Sequence, residues 1–225
     1  MQHGTVVDAV RIPDGADLLD GDLHIPVDAR GLVIFAHGSG SSRFSSRNRQ
    51  VAEFLNGGEL ATLLLDLLTP REERIDVRTA EYRFAIPLLG RRVIAAADWA
   101  AGHAVLRELP IGYFGASTGA AAALIAAAER PEAAAVVSRG GRPDLAGEAL
   151  PRVRTPTLLI VGGDDEPVIE LNHVAMRNIR ATVELAVVHH ATHLFEETGA
   201  LEQVERLALD WFTRYMNPSQ AARHG

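Results

Sequence analysis

One pentapeptide, Gly115-Ala116-Ser117-Thr118-Gly119, lies between an apolar run, Ile111-Gly112-Tyr113-Phe114, and an alanine-rich run from Ala120 to Ala128. A short apolar run bounded by glycine predicts a buried strand, and the alanines predict a helix. The pentapeptide must therefore turn strand into helix within a few residues. Glycines at both ends leave room where the two backbones crowd, and a turn this tight lifts the Ser117 hydroxyl clear of the sheet. A serine held that way is a candidate nucleophile. The same glycines also suit a turn that serves packing alone, so the motif needs support elsewhere in the chain.

Two later segments supply it. Leu158-Leu159-Ile160-Val161 runs into Gly162-Gly163-Asp164-Asp165, and Ala186-Val187-Val188 runs into His189-His190-Ala191-Thr192-His193. Each is an apolar strand ending in a polar turn, and open α/β sheets place their ligands just past such strand ends. The residue types complete a chemistry. A serine hydroxyl is a weak nucleophile near neutral pH and needs a base to take its proton, which an imidazole can do and reverse. A carboxylate behind the imidazole fixes its tautomer and stabilises the imidazolium. Ser117, His193 and an acid from the Asp164-Asp165 pair form that set. Asp144, after the preceding strand, is a third candidate acid.

Strand and helix patterns alternate along the chain. A leading hairpin is expected from Val6–Ile12 and Ala16–Ile25 around Pro13-Asp14-Gly15. Further strands are expected over Leu32–Ala36, Ala61–Asp66, Ala134–Val137, Thr157–Val161 and Val183–Val188. Helices are expected over Arg47–Asn56, Ala80–Ala101, Pro167–Ile179 and Thr198–Met216. The fold class is therefore α/β, a mainly parallel sheet of about eight strands covered by helices on both faces. A single domain over residues 1–217 is expected, with a frayed polar tail at 218–225 and no large cap domain.

Composition narrows the chemistry. The chain of 225 residues has no cysteine, which excludes disulfides, thiolate metal sites and a cysteine nucleophile. All 22 basic residues are arginine, which excludes a Walker-A or Schiff-base lysine. A net charge of −7 argues against nucleic acid as a partner. No apolar run reaches membrane-spanning length, and the first residues carry neither a basic region nor an apolar stretch of signal-peptide type. A cytoplasmic location without membrane attachment is the resulting expectation. The oligomeric state is not readable.

These segments resemble the dienelactone-hydrolase-like branch of the α/β-hydrolase superfamily, over nearly the whole chain. The resemblance rests on Gly115–Gly119, on His37-Gly38-Ser39-Gly40-Ser41-Ser42-Arg43, on Ser138–Leu145 and on Ala191–Glu197. The order Ser, Asp, His is that of the superfamily. The resemblance implies Asp165 rather than Asp164 as the acid, through Gly162-x-x-Asp165-x-x-Val168. It implies an oxyanion hole from the backbone amides of Thr118 and Ser39, with His37 orienting the loop. The implied activity is cleavage of an ester, thioester or lactone of a small-molecule acyl substrate through an acyl-enzyme, without cofactor or metal. Acyl transfer or small-amide cleavage on the same residues is the alternative within enzymes, and a non-catalytic binding module is the alternative outside them. One departure stands out: dienelactone hydrolase itself uses a cysteine, where this chain has Ser117.

Arg43, Arg47 and Arg49 follow the His37 loop, and Arg139 and Arg142 follow the strand beside Ser117. Arg43 and Arg139, nearest to strand ends, are the candidates for binding a substrate carboxylate or phosphate. The remaining arginines read as solvated charges. His190 and His193 do not have the helical spacing of a zinc pair.

Overall fold

The computed structural model describes residues 6–216, so the expected tail at 218–225 lies outside the described residues. Strands β1 (Val6–Asp14) and β2 (Asp17–Ile25) form the leading antiparallel hairpin. β3 (Leu32–Ala36), β4 (Ala61–Leu65), β5 (Ile111–Ala116), β6 (Ala135–Arg139), β7 (Thr157–Gly162) and β8 (Val183–Val188) follow. They join in one eight-stranded sheet of order β1-β2-β4-β3-β5-β6-β7-β8. β2 meets β4 antiparallel, and every pair from β4 through β8 is parallel.

Alternation of side chains divides the core into two layers. On β3, Leu32, Ile34 and Ala36 face helices α3 (Ile86–Gly102) and α4 (Gly119–Glu129). Val33 and Phe35 face α1 (Ser46–Gly57) and α6 (Ala200–Met216). α5 (Glu166–Asn178) sends Ala175 into the first layer. Both faces of the parallel strands are covered, which is why these strands read as continuous apolar runs rather than alternating ones.

The sheet order reverses at β3, with β4 on one side and β5 on the other. The loops after β3 and β5 therefore leave the same end of the sheet side by side, the usual ligand position in open α/β sheets. α4 is apolar all round and almost wholly buried, and its alanines let it lie close against β5. A Cβ on Gly115 would come within 2.4 Å of Ala120 Cα, and one on Gly119 within 2.1 Å of the Ala36 carbonyl oxygen.

The expected helix over Ala80–Ala101 is corrected. Only α3 stands there, beginning at Ile86, and a separate helix that was not expected, α2 (Pro70–Thr79), precedes it. Ala80 takes a left-handed conformation, φ +56°, and ends α2. The start of α2 carries a capping box, Thr69 with Glu72, and Pro70 at its first position. That signal is present in the sequence but was overshadowed by the longer alanine-rich stretch. Pro143–Arg152 forms two short 3₁₀ turns separated by a kink at Gly147, which periodicity did not reveal. Among the described residues, no helix is long and apolar enough to cross a membrane.

Candidate active site

Ser117 sits between β5 and α4 with φ +51°, a conformation that costs a non-glycine residue on the order of 1–3 kcal/mol. Hydrogen bonds hold it there. Its N–H donates to the Arg139 carbonyl at 3.2 Å, and its own carbonyl accepts from Ala120 at 3.1 Å and Arg142 at 3.0 Å. The turn after β6 thereby fixes the Ser117 turn. Gly140 in that turn abuts the His193 loop: a Cβ there would lie 3.0 Å from the His193 carbonyl oxygen and 3.6 Å from its Nδ1. One backbone turn thus touches both Ser117 and His193.

His193 Nδ1 lies 2.8 Å from Asp165 Oδ2. Asp165 is largely shielded and stands at the N-cap of α5, whereas Asp164 is exposed and donates its N–H to the Ala191 carbonyl. Asp144 is engaged elsewhere, in a two-point ion pair with Arg142 at 2.9 and 2.8 Å. With Nδ1 bound to the carboxylate, Nε2 is the ring nitrogen left for proton transfer. Among the described residues, no hydrogen bond joins Ser117 Oγ to His193; such contacts often tighten only in the complex with substrate.

The loop after β3 stands against Ser117, since a Cβ on Gly38 would lie 3.0 Å from Ser117 Cβ. Among the described residues, neither the Ser39 N–H nor the Thr118 N–H donates to a protein acceptor. Both are free for an incoming oxygen. His37 is buried and bridges the loop: its Nδ1 lies 2.9 Å from the Gly38 carbonyl, and its Nε2 accepts from Leu67 N–H at 3.0 Å. That pattern requires the proton on Nδ1. Burial holds His37 below the usual imidazole range, which keeps it neutral in this role. Leu67 is fixed in turn by Arg92, whose Nη1 donates to its carbonyl at 2.8 Å. A small cleft beside the loop is walled by Leu67, Leu68, Leu89 and Arg83. Arg83 reaches it while its Nε is held by the buried Asp76 at 2.7 Å. Sequence reading missed Arg83, because only the break between α2 and α3 brings it over the loop.

The two candidate arginines separate. The Arg43 guanidinium pairs with Asp22 at 3.3 Å and with Asp66, and its N–H donates to Asp66 at 2.7 Å. It ties the loop to β2 and β4 rather than offering a free fork. Arg139 is 8% exposed and points toward α1, where its Nη2 meets Asn48 Oδ1 at 3.3 Å. Burial first, then the neighbouring Arg47 charge, pushes its guanidinium down to about 10. Asn48 and Arg47 belong to the first turn of α1 and were not singled out as partners, since only the fold brings them to β6.

A surface concavity of about 1190 Å³ lies elsewhere, along β2 and α1, lined by residues including Asp22, His24, Phe44 and Asn56. It contains none of Ser117, Asp165 or His193. Size alone does not make it the reactive centre, because it offers no nucleophile paired with a base. Among the described residues, no group of three or more His, Asp or Glu side chains is arranged to hold a metal ion.

No family model matches the chain. The crystal structure of a dienelactone hydrolase from Anabaena variabilis is 55% identical, with a TM-score of 0.93, over 95% of this chain and 99% of that one. An esterase from Pyrococcus furiosus is 19% identical with a TM-score of 0.74, over 95% of this chain and 92% of that one, a likeness of fold. Two proteins from strains of Mycobacterium tuberculosis, each named "putative phosphoribosyl transferase", are 55% identical over 208 residues. That match covers 92% of this chain but 46% of theirs, so the chain spans a little under half the length of those relatives.

Proposed function

The chain belongs to the dienelactone-hydrolase family of α/β-hydrolases, and from that premise we propose that it is a serine hydrolase of small-molecule esters, thioesters or lactones. The observation that carries the reading is the Asp165–His193 hydrogen bond of 2.8 Å, at the same end of the sheet as the strained Ser117 turn. In this reading His193 Nε2 takes the hydroxyl proton as Ser117 Oγ attacks the acyl carbon. The carbonyl oxygen gains the negative charge and is met by the Ser39 and Thr118 amides. Collapse expels the leaving oxygen or sulfur with the proton that His193 carries, leaving an acyl group on Ser117. Water, deprotonated by His193, then repeats the sequence and releases the acid. Asp165 remains ionised throughout and holds the ring. An oxygen nucleophile needs this base more than the sulfur of a cysteine member does, because a hydroxyl is far less acidic than a thiol.

The transferase in the name of the Mycobacterium relatives is assigned, in this reading, to the part of those proteins that this chain does not match. The matched part has the fold of a hydrolase.

The test is turnover of neutral p-nitrophenyl esters of increasing chain length. The expected result is hydrolysis with an initial burst of p-nitrophenol, lost in Ser117→Ala by a factor on the order of 10⁶. An added alcohol or amine that diverts product to a new ester or amide would assign acyl transfer instead. Unchanged turnover in purified Ser117→Ala would remove the reading.

A further inference from the structure

Asn172 lies in the interior of α5, where asparagine is a poor helix former, and it is fully buried. Its side chain meets two carbonyls. Nδ2 donates to Val168, one turn back on the same helix, at 2.7 Å, and to Gly141, in the turn after β6, at 3.1 Å. Both amide protons are thereby used. Oδ1 is buried and has no partner among the described residues, so the amide serves through its donor side. Reversing the amide would set Oδ1 against two carbonyl oxygens, which fixes its orientation. A leucine of similar size would suit the helix better and leave no buried polar oxygen. What the donor side holds gives Asn172 a use.

The turn after β6 grips Ser117 on both sides. The Arg139 carbonyl accepts the Ser117 N–H at 3.2 Å, and the Arg142 N–H donates to the Ser117 carbonyl at 3.0 Å. Between them, Gly140 packs on the His193 loop. Gly141 is wedged against the start of α4: a Cβ there would lie 2.5 Å from Ala120 Cβ and would overlap Ser138 Oγ. The Gly140 N–H ties the turn to β7 through the Ile160 carbonyl at 2.8 Å, and Asn172 ties it to α5. That helix carries Asp165 at its N-cap. The Asp165 carbonyl accepts from Val168 N–H at 3.0 Å, and the Val168 carbonyl is the other acceptor of Asn172. One amide therefore joins the helix that presents Asp165 to the turn that holds Ser117 and abuts His193. A shift of the turn against α5 would move all three out of register at once. We propose that Asn172 is a positioning residue for the reaction, setting through the Gly141 carbonyl the placement of Ser117 and His193 relative to Asp165. This inference rests on the hydrolase reading.

The experiment compares wild type, Asn172→Leu and Asn178→Leu on a neutral p-nitrophenyl ester. It measures kcat, KM and Tm for each, and the rate at which a fluorophosphonate labels Ser117. Asn178 makes the same bond to its own helix, Nδ2 to the Val174 carbonyl at 2.9 Å, and is exposed, so it controls for that bond alone. Misplacing a reacting group by about 1 Å can cost on the order of 10²-fold in rate. Asn172→Leu should therefore lose roughly tenfold to a hundredfold in kcat and in labelling rate. KM should stay within about twofold of wild type, because the loss falls on the reacting geometry rather than on substrate binding. Asn178→Leu should keep the wild-type kcat. The fall in Asn172→Leu should persist when each protein is assayed well below its own Tm, which separates misplacement from loss of folded protein. A kcat within about twofold of wild type would overturn the proposal, as would a fall that vanishes under matched distance from Tm or an equal fall in Asn178→Leu. If Asn172→Leu does not fold, Asn172→Ser, which leaves space instead of adding apolar bulk, is judged by the same criteria. A wild type inert toward every ester and toward the label would remove the hydrolase reading and this inference with it. Normal wild-type turnover beside an unimpaired Asn172→Leu would remove this inference alone.

Discussion

Arg92 should be the residue whose charge matters most to stability. Its side chain is fully buried, and its guanidinium is held by Glu72 at 2.5 and 2.9 Å, by Asp14 and Asp17 at 3.3 Å each and by the Leu67 carbonyl at 2.8 Å. Arg92→Met keeps much of the length and removes the charge. Glu72 and Asp14, both mostly shielded, then lose a partner, and the Leu67 carbonyl loses its donor. Removing one side of a buried pair costs about 3–5 kcal/mol. The lower end applies here, because Asp17 is half exposed and Glu72 keeps its bonds to Thr69. About 3 kcal/mol corresponds to roughly 6–12 °C in Tm for a chain of this size. The pH dependence has a definite sign. Burial pushes the Glu72 carboxyl up, but hydrogen bonds from Arg92 and Thr69 outweigh it and leave the group below its ordinary 4.5. The stability it contributes is therefore complete above that value and lost as pH falls through the lower folded one. The gap between wild type and Arg92→Met should narrow below about pH 4.5. Thermal and urea unfolding from pH 7 down to pH 3 measure it. A variant melting within about 2 °C of wild type at pH 7, or a gap that widens on acidification, would refute the reasoning.

Other substitutions test other parts of the frame. Asp165→Asn should lower kcat by about 10⁴, the size seen for the equivalent change in a serine protease, and Asp164→Asn should be nearly silent; steady-state kinetics on one ester separates them, and a reversed order shifts the acid by one residue. Gly119→Ala places a methyl 2.1 Å from a backbone oxygen that cannot swing aside, so loss of soluble folded protein or of several degrees in Tm is expected. Gly57→Ala, with nothing within 4 Å, should leave Tm equal or slightly higher, which makes the pair a control for glycine replacement as such.

The parts legible in the sequence are those set by local chemistry. Leu32–Ala36 and Val183–Val188 are strands with the expected bounds, because apolar runs closed by glycine or charged turns leave little freedom in placing their ends. The Ser117, Asp165 and His193 turns were readable for the same reason. What escaped was set by partners distant in the chain. Arg43 read as free until Asp22 and Asp66 were brought to it by β2 and β4. Arg139 reads as a substrate-binding candidate near a strand end, and the fold buries it against Asn48, 91 residues away. Arg92 drew no attention, since nothing local marks a helix arginine as the meeting point of Asp14, Asp17 and Glu72. The start of α3 at Ile86 rather than Ala80, and α2 before it, were set locally and still not read, because the helix propensity of the longer stretch masked the left-handed turn at Ala80.

The most direct test of the central claim is active-site labelling with a fluorophosphonate, read by intact mass and peptide mapping alongside residual esterase activity. The expected result is one adduct per chain on Ser117, loss of activity in proportion to labelling, slow labelling in Asp165→Asn and none in Ser117→Ala. Stoichiometric inactivation with the adduct on another residue, or full activity remaining after Ser117 is completely labelled, would contradict the assignment of Ser117 as the nucleophile.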